Sequence, residues 1–389
     1  MPLKKDVIVD VSVIRETPAP NPPEMLYLYF SAAELATPVA YQVVDSLGQF
    51  RSNVAGGGTT HPMDTAVAAY FAAGASKRLA IMSIVDSTDV SEALDAVYSN
   101  RNGFFTMVAT NLNPLTTAGE HEAGQGFGSL LKWCLNNNVY LFTRLSYIDG
   151  GTNTDAVTIK DIEILNDEGN PIQLKNLAVL VAKAGESEDT TAYQKGDTEQ
   201  AHVKWASILV NSSSAVTMKF KTLTGVTPIV YGNQDVALTA LHAAGINTYV
   251  DKMGYDMTSE GLDISTDTTA GTDKDPTAPM FIDVVYEQVI IQRLIEQSVQ
   301  ALLVTSPKLP YTQHGLNRIG IAIRDVLTQR FQYGSIASVG ATNTPDFVVT
   351  VPSIRTQTGQ ATRTVSGFSW KMKLSGAIHS GYFTGYIVV

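Results

Sequence analysis

Strict alternation marks residues 6–15, where Val7, Val9, Val11 and Val13 fall on one face and Ile8, Asp10, Ser12 and Ile14 on the other. β-Branched residues at period two predict a strand. Pro18, Pro20, Pro22 and Pro23 follow, a stiff extended spacer that cannot join a central sheet. A second strand is expected over 25–30. Between 64 and 145 the period switches repeatedly. Helices are expected over 65–73, 89–99 (capped by Asp89) and 119–136, and strands over 79–85, 104–110 and 139–145. Apolar strands separated by helices predict an α/β unit with a largely parallel sheet. A strand over 157–165 and a turn at 166–170 predict a hairpin onto 177–182. Helix and strand follow between 198 and 221, then a helix over 233–244. The Thr-, Asp- and Gly-rich stretch 257–279 reads as a linker.

After it, a strand is expected over 281–285. A long helix then carries the stripe Ile291, Leu294, Ile295, Val299, Leu302 and Leu303. Pro307 and Pro310 stop it. A second helix over 312–331 points Leu316, Ile319, Ile323, Val326 and Leu327 inward, with Arg318, Arg324 and Arg330 assigned to its outer face. Strands are expected over 346–351, 368–374 and 382–389. In the last, Tyr382, Thr384, Tyr386 and Val388 alternate with Phe383, Gly385, Ile387 and Val389. A hydrophobic strand needs a partner. It is either an internal strand of the chain's own sheet or one added to a neighbouring chain.

Composition sharpens this. The 389 residues suffice for two or three domains. Hydrophobic content is ordinary at 44%, but only 16% of residues are charged, against roughly 25% in soluble domains. That points to a surface partly covered by partners, although Ser, Thr and Asn also solvate surface. The net charge of −10 argues against direct nucleic-acid binding. Residues 281–389 carry nine Lys or Arg and five Asp or Glu, so the basic part is C-terminal and the rest strongly acidic. The opening residues lack the apolar core of a signal peptide. No stretch approaches the roughly 18 apolar residues of a membrane span, so no membrane insertion is expected.

Candidate chemistry is sparse. The single cysteine, Cys134, sits beside Trp133, Leu130 and Leu131 and reads as a buried thiol. Gly56-Gly57-Gly58-Thr59-Thr60 lacks the lysine of a P-loop, and Gly124-Gln125-Gly126-Phe127-Gly128 lacks the spacing of a dinucleotide fingerprint. The six histidines fall at no metal-ligand spacing, and no serine-nucleophile elbow occurs. No catalytic, cofactor or metal residues emerge, and no cofactor is expected.

Residues 205–389 carry a run of motifs. Val216-Thr217-Met218-Lys219-Phe220-Lys221-Thr222-Leu223-Thr224-Gly225-Val226 resembles the "TWKFKTLAGV" stretch of contractile bacteriophage (myovirus) tail sheath proteins, with Met218 in place of Trp. Asn247-Thr248-Tyr249 matches a following Asn-x-Tyr. Lys308-Leu309-Pro310-Tyr311-Thr312 resembles "KIPYT", with Gln313 where Asp is usual. Ser375-Gly376-Ala377-Ile378-His379 resembles the "GAIH" that precedes a terminal strand. Order and spacing over nearly half the chain carry the resemblance; the first 200 residues match only in arrangement.

The resemblance implies a non-enzymatic structural subunit of mixed α/β and α+β fold. An inner α+β domain (24–55 with 265–381) would hold an inserted outer α/β domain (56–264). The arms 1–23 and 382–389 would exchange strands between subunits, through Val7, Ile8, Val9, Val11 and Val13 at one end and Tyr382, Phe383, Tyr386, Ile387 and Val388 at the other. Copies would stack as helical, hexameric rings around a tail tube, with baseplate and tail terminator proteins as further partners. Contraction would drive the tube through the host envelope. The place implied is the virion tail, assembled in the host bacterial cytoplasm. Arg318, Arg324 and Arg330 are candidates to face the tube. A sheath of a non-phage contractile injection system, or an α/β ligand-binding protein, are the alternatives.

Overall fold

The computed structural model describes residues 25–30, 38–55, 58–74, 77–84, 90–98, 104–110, 126–147, 164–165, 171–172, 174–183, 199–212, 215–230, 235–266 and 281–377. The strands expected over 6–15 and 382–389, and the proline spacer, lie outside these residues. In chain order the first elements are β1 (Met25–Phe30), β2 (Gln42–Val44), α1 (Leu47–Asn53), α2 (Asp64–Ala72), β3 (Leu79–Ile84), α3 (Val90–Tyr98), β4 (Thr106–Thr110), α4 (Gly126–Asn136) and β5 (Tyr140–Tyr147). Then come β6 (Ile164–Leu165), β7 (Pro171–Ile172), β8 (Leu177–Lys183), α5 (Ala201–Asn211), β9 (Ile229–Val230), α6 (Asp235–Ala243), β10 (Asn247–Lys252) and β11 (Tyr255–Thr258). The C-terminal elements are α7 (Ile282–Thr305), α8 (Gln313–Gln332), β12 (Phe347–Thr350) and β13 (Ser369–Met372).

One nine-stranded sheet dominates, in the order β11-β10-β8-β5-β4-β1-β3-β2, with β9 also on β10. The strands from β10 to β3 pair in parallel; β2 and β11 close the two edges antiparallel. Parallel strands covered on both faces read as continuous apolar runs, and β1, β3 and β4 are buried at every position. On one face Leu26, Leu28 and Met107 pack with Leu94 of α3, Leu131 and Trp133 of α4 and Leu241 of α6. On the other, Tyr27 and Val108 meet Phe50 of α1, Tyr70 of α2, Trp205 of α5 and Tyr286 of α7. A separate core joins Ile291 and Ile295 of α7 to Ile319, Ile323 and Leu327 of α8 and to Val349 of β12.

Several expectations are redrawn. The residues 281–285 do not form a strand: Phe281 makes one bridge to Leu262, and α7 starts at Ile282. Ile282, Val285, Tyr286 and Val289 share one helical stripe, and burial against the sheet overrides the β-propensity of valine. The hairpin beyond β6 closes onto β7, whereas β8 enters the large sheet parallel to β5. The first part of the expected linker is ordered structure, since Thr258, Ser259, Asp263 and Ile264 are buried. Sequence grouped 24–55 with 265–381, yet β1 lies between β3 and β4 over its length, so Met25–Phe30 belongs to the sheet of the middle segment.

Candidate assembly surface

The helix α7 belongs to two cores. Its first turns complete one face of the large sheet, and Ile291 and Ile295 begin the C-terminal core. Its 24 residues form a continuous rod of about 36 Å. Side chains fix the rod at the junction. The Arg293 Nη2 donates to the Asn137 carbonyl at 2.7 Å, and its guanidinium lies 5.2 Å from the Tyr98 ring centroid. Asn138 Nδ2 donates to Gln292 Oε1 at 3.0 Å. From α8, Arg330 Nε donates to Glu287 Oε2 at 3.1 Å, and Nη2 reaches Glu287 Oε1 and, at 2.9 Å, Ser335 Oγ. Beside this junction runs a cleft of about 700 Å³ between the α5 end of the sheet unit and the α7–α8 pair.

The strands β12 and β13 pair only with each other among the described residues. A two-stranded sheet is marginal alone, and this one leans on α8 through Val349, Phe347 and Met372. Contact is close because residue 320 is glycine: a Cβ there would lie 2.3 Å from Val351 Cγ2. The register pairs Val349 with Trp370 and Phe347 with Met372. Lys373 N–H donates to the Asp346 carbonyl, which sets the alternation and turns the amides of Trp370 and Met372 away from β12. That outward edge borders a groove of about 540 Å³ formed with Gln288, Ile291 and Gln292 of α7. Val348, opposite Lys371, is 64% exposed on one face of the ribbon, and Trp370, opposite Val349, is 37% exposed on the other. Among the described residues this edge of β13 carries no further strand. Sequence reading missed the groove, although Trp370 on the strand expected over 368–374 was its visible signal.

The motif residues have structural work. Asn247 Nδ2 donates to the carbonyls of Val179 and Leu262, and its Oδ1 accepts from Leu262 N–H. The Tyr249 hydroxyl lies between the N–H and carbonyl of Leu223. Trp205 Nε1 and Thr258 Oγ1 both donate to the Met218 carbonyl. These side chains bolt 216–226 and 259–263 onto the sheet edge. Asp263, wholly buried, accepts from the Tyr140 hydroxyl at 2.7 Å, from Leu177 N–H at 3.1 Å and from Ser265 N–H at 3.0 Å. Burial raises its pKa above the ordinary carboxylate value, while those hydrogen bonds oppose the rise.

The three arginines separate. Arg330 is buried, 9% exposed, and does not lie on an outer face. Steps of six residues at 3.6 per turn rotate each arginine about 120° from the others, so one stripe cannot hold all three. Arg324 is exposed, with Nη2 reaching the Val349 carbonyl at 3.4 Å; half-buried Arg318 donates to Ser306 Oγ at 3.0 Å. The arm residues Val7, Ile8, Val9, Val11, Val13, Tyr382, Phe383, Tyr386, Ile387 and Val388 lie outside the described residues. Cys134 is buried and desolvation pushes its thiol pKa up, in keeping with an inert core residue. No group of His, Cys, Asp and Glu among the described residues could hold a metal ion, and no described helix is long and apolar enough to cross a membrane.

No sequence-family profile and no curated protein sequence matches the chain. Solved structures do match, over nearly its whole length. The chain is similar to a subunit in the six-fold symmetrised baseplate of the anti-feeding prophage, with a TM-score of 0.62 and 14% identity, covering 98% of this chain and 100% of that one. A subunit of the contracted PVC sheath complex, an extracellular contractile injection system, gives 0.62 and 12% over 99% and 98%. A sheath tail protein of Listeria innocua gives 0.51 and 8% over 84% and 88%. At these identities the likeness establishes a shared fold, that of contractile sheath proteins.

Proposed function

We propose that this chain is a structural subunit of a contractile sheath, polymerising helically around a tube and contracting to drive that tube through a target envelope. The observation that carries the reading is the acceptor groove beside β13, on a fold that follows sheath proteins from end to end. A strand laid along Trp370 and Met372 would gain backbone hydrogen bonds and cover the partly exposed Trp370. The arms around Val7–Val13 and Tyr382–Val388 have the alternation such a strand needs. Backbone pairing is directional and survives rigid-body rotation when a spacer such as 18–23 bridges the gap.

In this reading the C-terminal core of α7, α8, β12 and β13 is the inner unit, and the large sheet lies outside it. The role is structural, with no cofactor. Six-fold rings, tube, baseplate and terminator partners follow from the sheath assignment, as does a place in a viral tail. A free injection machine remains the second reading, because the extracellular system shares the fold. Electron microscopy of the purified protein tests the main claim. Tubes or stacked rings are expected; a monodisperse monomer with and without the co-expressed tube protein would overturn it. Particles purified with DNA-filled heads would distinguish the viral tail from the free machine.

A further inference from the structure

The cleft at the α7 junction has a mouth defined by the start of β1. Met25 is level with Leu79 and Thr106 in the parallel ladders. Lys77 and Phe105 shortly precede these partners in the chain, at the end of the sheet where β1 begins. Both Lys77 and Phe105 line the cleft. β1 therefore begins beside this wall. Across from it stand Ile290 and Leu294 of α7 and Tyr333, with Leu209 and Val216 beside them.

We propose that the proline-rich segment 18–23 of this chain docks in that cleft, wedged between the sheet unit and the α7–α8 pair. Chemistry favours this occupant. Proline carries no N–H, so Pro18, Pro20, Pro22 and Pro23 can lie against an apolar wall without leaving orphaned donors. Extended proline segments dock in aromatic-lined grooves, and Phe105 and Tyr333 supply the rings. The competing occupant is the segment after Ala377, a residue that itself lines the cleft. Every residue of that segment brings an N–H that would need an acceptor in the cleft, whereas four of the six residues 18–23 bring none. The consequence is mechanical. A spacer held between the two units ties the first arm's position to the angle between them, with no dependence on sheath assembly itself.

Disulfide trapping in the dilute full-length chain tests it. Pro20→Cys is paired in turn with Gln297→Cys, Gln329→Cys and Ser212→Cys, and with Thr362→Cys as a remote control. The buried Cys134 stays out of the exchange. At least one cleft pair is expected to close within the monomer at least tenfold faster than the control. Closure no faster than the control, or closure only between copies, overturns the proposal. So does faster closure when Phe383→Cys replaces Pro20→Cys. A second measurement uses no cysteines: replacing 18–23 by a Gly-Ser segment of equal length is expected to speed amide exchange at Asn211, Ser212 and Tyr333 at least fivefold, and unchanged protection there also overturns it.

Discussion

Arg330 of α8 and Glu287 of α7 form a two-pronged ion pair, with residue exposures of only 9% and 8%. The third prong, Ser335 Oγ, fixes the turn after α8. Removing one partner leaves the other charge buried, at a cost of roughly 3–5 kcal/mol. Arg330→Ala should therefore lower the urea midpoint sharply, while Glu287→Leu with Arg330→Met should recover most of the loss. If the single substitution is as mild as a surface change, the pair is not a structural clamp.

Gly320 lets β12 sit on α8. Its substitution by alanine forces Val351 aside, and overpacking of this kind costs about 1–3 kcal/mol. The gain in helix propensity, about 1 kcal/mol, offsets only part of that. Gly320→Ala should lower Tm despite sitting inside a helix. A rise in Tm would show that Val351 relaxes freely.

The groove beside β13 can be filled from α7 without touching a core. Gln288 is exposed and borders it. Gln288→Trp should leave Tm within about 3 °C, since surface changes are usually within about 0.5 kcal/mol, yet abolish polymer formation. Polymers of normal length from this variant would remove the groove as the strand acceptor.

His242 Nε2 lies 3.1 Å from Thr248 Oγ1 and 3.0 Å from Ser259 Oγ, tying α6 to the sheet edge. Burial lowers its pKa below the ordinary 6.5, with Lys219 and Lys252 adding to the shift and Glu260 opposing it. The unfolded chain therefore binds the proton more readily. Its contribution is fully present above about pH 6.5 and is lost as pH falls from there through the folded value. Urea midpoints measured from pH 7.5 to 5 should decline on the acid side, and His242→Gln should flatten that decline. Parallel curves for the two proteins would contradict it.

Sequence legibility tracked how local each cause is. β1, β3, β4 and β5 announce themselves because both faces of a parallel strand are covered, so apolar residues fill most of each run. Thr312 marked the start of α8 through its own cap, accepting from Gly315 N–H. The segment 259–266 was illegible because its order comes from afar. Asp263 is held by Tyr140 and Leu177, and Asn247 by Leu262, contacts that no local composition reveals. Ile282 to Val289 failed for a related reason: valines that favour strands were conscripted by a sheet face already built.

Arg318 and Arg324 inherit the question of tube attachment once Arg330 is assigned to the interior. The C-terminal third is basic while the rest of the chain is acidic, so a contact made there with an acidic tube would weaken with salt. Arg324→Glu with Arg318→Glu should reduce co-sedimentation with the tube protein at least tenfold at low salt and remove most of its salt dependence. Both side chains also hold local bonds, to Val349 and Ser306, so part of any loss could come from the fold. Gln at the same positions separates the two effects. It keeps hydrogen bonding and removes charge, so it should preserve Tm while still flattening the salt response. Attachment and salt slope unchanged by both pairs would place the tube contact on another surface.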